Sequence, residues 1–117
     1  QEELGDYQGA IDAYSKTLEK GEAGIEEIGY RQGECYVKLG RTADAVASYE
    51  LSASGADMSA PHRIASLAQI GALSEESGDW STAVSAYTRI VQANGKPEWT
   101  AMAQGRLEEI RALNAGQ

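Results

Sequence analysis

The sequence predicts an all-α fold of antiparallel helix pairs, about six helices in all. Three observations carry that expectation. One pattern recurs in phase along the chain, apolar residues fall at helical spacing within and between its copies, and no useful stretch alternates as a strand does. The copies read Gly5-Asp6-Tyr7-Gln8-Gly9-Ala10-Ile11-Asp12-Ala13-Tyr14, then Gly40-Arg41-Thr42-Ala43-Asp44-Ala45-Val46-Ala47-Ser48-Tyr49, then Gly78-Asp79-Trp80-Ser81-Thr82-Ala83-Val84-Ser85-Ala86-Tyr87. Their leading glycines lie 35 and 38 residues apart, the spacing of a two-helix repeat with connections of unequal length.

A first helix is expected over 7–20, with Ala10, Ile11, Tyr14 and Leu18 on one face. Gln1 to Leu4 read as the last turn of a preceding helix. Gly5, Gly40 and Gly78 are each expected to end the helix before them, in the left-handed conformation that other residues resist. The second helix, 25–39, carries Ile25, Ile28, Gly29, Tyr36 and Leu39, and Gly33 permits a close crossing. The third, 42–54, carries Ala45, Val46, Tyr49 and Ala53. The fourth, 61–77, opens on Pro61, which suits a first helical turn, and carries Ile64, Leu67, Ile70 and Gly71. The fifth, 80–94, presents Ala83, Val84, Tyr87, Ile90 and Val91. The sixth, 97–114, is expected to cap the repeats, with Trp99, Met102 and Ile110 inward beside Ala103, Leu107 and Leu113, and with Glu98, Glu108 and Arg111 toward water. Short Gly-rich or polar loops are expected at Glu19 to Gly24, Ser54 to Ser59 and Asn94 to Lys96.

The shared positions have a simple packing role. A small Ala lets a neighbouring helix approach, and a Tyr one turn on fills the gap. Tyr14, Tyr49 and Tyr87 are therefore expected to be largely buried against their repeat neighbours. At the N-terminal end the first helix lacks a partner. Ile11, Tyr14 and Leu18 are then expected to be partly exposed, or covered by another chain in a homodimer through that end.

At 117 residues the chain fits one domain, 1–117: a partial first repeat (1–20), a second (25–54), a third (61–94) and the capping helix (97–114). The net charge of −8 argues against nucleic acid and against anionic lipid, and favours a basic or amphipathic partner. Cys35 is the only cysteine, which excludes an intrachain disulfide and a zinc cluster. No run approaches the length of a membrane span, and no signal-peptide pattern appears. The chain starts without Met and reads as a piece of a longer protein, which leaves the compartment open between cytoplasm and periplasm.

No catalytic constellation emerges, and neither an enzyme nor a cofactor is expected. His62, the lone histidine, reads as a solvated residue in a first helical turn, and Cys35 as a small buried filler. Gly95-Lys96-Pro97 lacks the further glycines and the hydroxyl residue of a phosphate loop. Glu26-Glu27, Glu75-Glu76 and Glu108-Glu109 are helix neighbours, so each pair splays apart and reads as a solvated face.

Gly33-Glu34-Cys35-Tyr36, followed by Leu39-Gly40, Ala45 and Tyr49, resembles the tetratricopeptide repeat signature, over roughly residues 4–94. Gly29 sits where that family favours Trp, and Ser74 replaces an aromatic in the third repeat. The stretch ending in Pro97, Trp99 and Arg106-Leu107 is similar to tetratricopeptide domains of bacterial envelope proteins, including the Tol-Pal accessory type. The resemblance implies a right-handed solenoid whose first helices line a concave groove. Carried onto this chain, it points to Glu27, Tyr30, Glu34, Val37 and Lys38, and to Ala65, Ala68, Gln69, Ala72, Glu75 and Glu76. It implies a scaffold that binds a peptide or helix there; the alternative is a structural or oligomerising arm of a larger bacterial protein. The basic clamp that some members use to grip chaperone carboxylates is missing, since its positions hold Tyr30, Glu34, Ala65 and Gln69.

Overall fold

A computed structural model of the chain describes residues 2–20 and 24–115. Among these residues there are six α-helices and no strand: α1 (Glu2–Lys20), α2 (Ile25–Lys38), α3 (Thr42–Ala53), α4 (Pro61–Ser77), α5 (Trp80–Ala93) and α6 (Pro97–Ala115). The fold is an all-α helical repeat. The chain divides into two compact units, Gln1–Ser66 and Leu67–Gln117, each described by itself.

Two of the three marker glycines end helices as expected. Gly40 (φ 74°) and Gly78 (φ 77°) lie in the left-handed region. Behind them, the Arg41 N–H reaches the Tyr36 carbonyl (2.9 Å) and the Asp79 N–H reaches that of Ser74 (2.8 Å). Both bonds satisfy a carbonyl that the helix end would otherwise leave open. Gly5 behaves differently, because α1 runs unbroken from Glu2 through it. The expected break is thus corrected: Glu2, Glu3 and Leu4 are good helix formers, and one interior glycine costs only about 1 kcal/mol. Of the expected loop at Glu19 to Gly24, residues 21–23 lie outside the described residues, as does Gln1. Asn94, at φ 55°, closes α5 in the role that glycine plays elsewhere.

In the first unit, α2 packs against both α1 and α3. A Cβ added at Gly29 would meet the Ser52 backbone N at 2.5 Å, and one at Gly33 would meet the Tyr49 ring at 2.5 Å. The pairs 29 with 52 and 33 with 49 run in opposite senses, so α2 and α3 are antiparallel. Tyr49 and Ala45 are buried, at 1% and 0% exposure. Gln32 joins the three helices: its amide donates to the Ile11 carbonyl (3.3 Å) and to Ser15 Oγ (2.9 Å), while Ser48 Oγ donates to its Oε1 (3.3 Å). Ile11 is thereby buried rather than partly exposed, whereas Tyr14 is only half-buried. The loop after α3 is held from two sides. Arg63, itself buried, donates to the Ala53 and Met58 carbonyls, and Glu26 accepts from the Asp57 N–H.

In the second unit the Tyr87 ring lies where a Cβ on Gly71 would be, 2.4 Å from its Cζ, repeating the α2–α3 contact. The apolar stripe of α5 centres on Ala83, Ala86, Tyr87, Ile90 and Ala93. Val84 falls outside it and is exposed, as are Met102 and Leu113 on α6. Those three expectations are corrected. The buried line of α6 runs through Ala103 and Ile110; Met102, the neighbour of Ala103, points about 100° away from that line, and Leu113 lies in the last turn, beyond the last buried residue of the helix. No helix of the described residues is long and apolar enough to cross a membrane.

Candidate functional site

The outer face of α2 is polar, with one aromatic at its centre. Glu27, Tyr30, Glu34, Val37 and Lys38 recur at three- and four-residue intervals and share that face. Glu27, Val37 and Lys38 are exposed, while Tyr30 and Glu34 are half-buried. The Tyr30 hydroxyl donates to Glu34 Oε2 at 2.8 Å, so those two are brought together. The Tyr30 ring lies 6.0 Å from that of Tyr49 and 5.5 Å from that of His62 at the start of α4, both tilted. These contacts hold the ring in one orientation. Burial, then the hydrogen bond to Glu34, pushes the Tyr30 hydroxyl up from its ordinary value, so it stays a donor. His62 is thus half-buried against an aromatic, not fully solvated.

Glu27 pairs with Arg31 one turn on (3.5 Å), an exposed contact of small energetic weight. Cys35, beside Glu34, is half-buried, and burial followed by the Glu34 charge pushes its thiol up. That shift keeps it protonated and unreactive. Ala65, the remaining residue of the set in this unit, is half-buried on α4.

In the second unit, Ala68 is half-buried, and Gln69, Ala72 and Glu76 are exposed on α4. Glu75 departs from the expected solvated pair. Its carboxylate accepts from the Tyr87 hydroxyl (2.7 Å) and from Arg106 Nε (3.1 Å), and Arg106 Nη2 donates to its other oxygen. The Arg106 hydrogen bonds hold the Glu75 carboxyl below the usual carboxylate range, against the opposing effect of burial. Burial, then the bond to Glu75, pushes Tyr87 up to about 12. Glu75 therefore fastens α4, α5 and α6 together. Glu26 likewise faces a loop, so two of the six paired carboxylates are structural anchors. Among the described residues, no group of three or more His, Cys, Asp or Glu could hold a metal ion.

Sequence reasoning missed Gln32, Arg63 and the Glu75–Arg106 pair. Glutamine and arginine usually sit in water, and only their distant partners reveal them as buried.

Residues 27–51 match the family model of the tetratricopeptide repeat. The matched span runs from the α2 face through the Gly33–Tyr49 contact, and it supports assignment to the tetratricopeptide repeat family. Members of that family are generally non-catalytic protein-interaction modules. No curated protein matches the chain as a relative.

Proposed function

We propose that the chain is an interaction module that holds a basic or amphipathic peptide or helix against the α2 face. The observation that carries this is the held Tyr30 ring on a polar face, with the Glu34 carboxylate on its hydroxyl and Glu27 exposed one turn before it. A pre-oriented aromatic loses little freedom on binding, and tyrosine is enriched among residues that dominate interface energy. Like charges across an interface oppose association, so an acidic partner is disfavoured. The resemblance supports the choice of face, because it assigns the first helix of each repeat to the groove. Ala65, Ala68, Gln69, Ala72 and Glu76 offer α4 as a further contact stretch. Glu75 is the weakest member of the set, since its oxygens already serve Arg106 and Tyr87.

So short a surface buries little area, which sets affinity at roughly micromolar, about −8 kcal/mol. The test is a titration with a lysine-rich amphipathic peptide and its glutamate-substituted twin, using the parent, Tyr30→Ala and a Glu27→Lys/Glu34→Lys double variant. The lysine peptide should bind and its twin should not, and each variant should lose about tenfold in affinity. Unchanged affinity in both folded variants would place the site elsewhere. The finer likeness, to the Tol-Pal accessory type of envelope protein, rests on Pro97, Trp99 and Arg106-Leu107; fractionating cells that make the full-length protein tests it.

A further inference from the structure

Among the described residues, two carboxylates each accept from a tyrosine hydroxyl, one in each unit. In the second unit the Tyr87 hydroxyl donates to Glu75 Oε2 (2.7 Å). That pair holds an arginine. Arg106 Nε donates to the same oxygen (3.1 Å) and Nη2 donates to Oε1, so the guanidinium meets the carboxylate edge-on as a fork. In the first unit the Tyr30 hydroxyl donates to Glu34 Oε2 (2.8 Å). Here the fork is missing: among the described residues nothing donates to Glu34 Oε1, and no cation pairs with the carboxylate. Arg31, on the same helix, is engaged by Glu27 (3.5 Å). Tyr30 and Glu34 both keep part of their surface open to solvent.

The two pairs are built differently. Tyr87 and Glu75 come from α5 and α4, whereas Tyr30 and Glu34 stand one turn apart on α2, so the likeness is of chemistry and not of repeat position. That chemistry bears on the choice of ligand. A carboxylate with a hydroxyl on one oxygen no longer turns freely, and its remaining lone pairs are offered in a fixed plane. A guanidinium is planar and presents parallel N–H donors that match that plane, while an ammonium is a point charge on a flexible stem. Beside the carboxylate, the Tyr30 ring is held against those of Tyr49 and His62. A guanidinium stacks on such a ring more readily than an ammonium does.

We infer that the Tyr30–Glu34 pair is a subsite for an arginine side chain of the partner, taken in a fork like the one Arg106 makes with Glu75 and in preference to lysine, a selectivity that rests on the α2 face being the binding surface. Glu34 supplies both acceptor oxygens, and the Tyr30 hydroxyl fixes the plane in which they are offered. Glu75 offers no second subsite of this kind, because Arg106 already fills it.

The experiment is isothermal titration of the chain with three versions of one amphipathic peptide, its basic residues all lysine, all arginine or all asymmetric dimethylarginine. Dimethylation keeps the charge but blocks the paired donors. The arginine peptide should bind about tenfold tighter than the lysine peptide, and dimethylation should return it to the lysine level. Glu34→Gln keeps the size of the side chain but removes the charged acceptor pair, and it should erase the preference for arginine. Circular dichroism checks that this variant folds; where it does not, Tyr30→Phe, which frees the carboxylate to turn, takes its place with the same expected loss. Equal binding of the arginine and lysine peptides by the parent would overturn the inference and leave the α2 face standing as the binding surface. An arginine preference that survives dimethylation, or that survives in the folded variant, would overturn it as well. Binding of neither peptide would overturn both the subsite and the reading of the face.

Discussion

Gly33 and Gly71 each lie beneath a tyrosine ring, so the first carbon of any side chain there would land 2.5 or 2.4 Å from it. The Tyr87 ring cannot readily yield, since its hydroxyl is tied to Glu75. Gly71→Ala should therefore lower stability by about 1–3 kcal/mol, although alanine is the better helix former. Gly105 sits in α6 with nothing within 4 Å of an added Cβ, and Gly105→Ala should raise stability by about 0.5–1 kcal/mol. Thermal unfolding of both variants checks the opposite signs. The Glu75 carboxyl adds a pH dependence. Arg106 holds it below its ordinary 4.5, so its contribution is complete above about pH 4.5 and is lost as pH falls through the lower folded value. Tyr87 acts in the opposite sense: its contribution is complete below its ordinary 10 and fades as pH rises through about 12. Arg106 is 36% exposed and partly screened, so Glu75→Gln should remove only about 1 kcal/mol near neutral pH and should flatten the acid limb. Urea unfolding at several pH values measures both effects. The Gly–Tyr contacts were legible in the sequence, because a small residue and a large one recur at fixed separation. The Glu75–Arg106 contact was not: its partners are 31 residues apart and outside the repeated pattern.

At the scale of the element, helix ends were legible where a residue type has one conformational use. Gly40 and Gly78 stop α2 and α4 because only a residue free of Cβ strain takes a positive φ without penalty. Gly5 shows the limit of that reasoning, since a glycine can stop a helix but does not compel it to stop. Capping differs among the helices. Asp79 accepts from the Thr82 N–H (3.2 Å) at the start of α5, whereas α2 and α3 open on Gly24 and Arg41 without a side-chain cap. Asp79→Ala should therefore cost about 1 kcal/mol, while Asp79→Asn should be nearly neutral. Chemical denaturation of the two variants side by side separates the lost cap from the lost charge. The exposed faces of α5 and α6 were the least legible elements. Val84, Met102 and Leu113 satisfy the apolar period, but Ala103 and Ile110 alone set the buried line of α6.

For the whole molecule, the all-α repeat and the α2–α3 hairpin followed from periodicity, and the match at residues 27–51 falls on that hairpin. The candidate face was legible only in outline. The resemblance supplied the set on α2, but the ring contacts that hold Tyr30, and the engagement of Glu75 elsewhere, depend on which residues meet in space. Tyr30 is the proposed anchor for a basic or amphipathic partner. Amide chemical shifts of the labelled chain, followed while the lysine-rich amphipathic peptide is added, test that claim most directly. The shifts should cluster on Glu27, Tyr30, Glu34 and His62, and should fade as salt screens the exposed charges over about 10 Å at 0.1 M. Shifts clustered on α5 and α6, with the amides around Tyr30 unmoved, would contradict it.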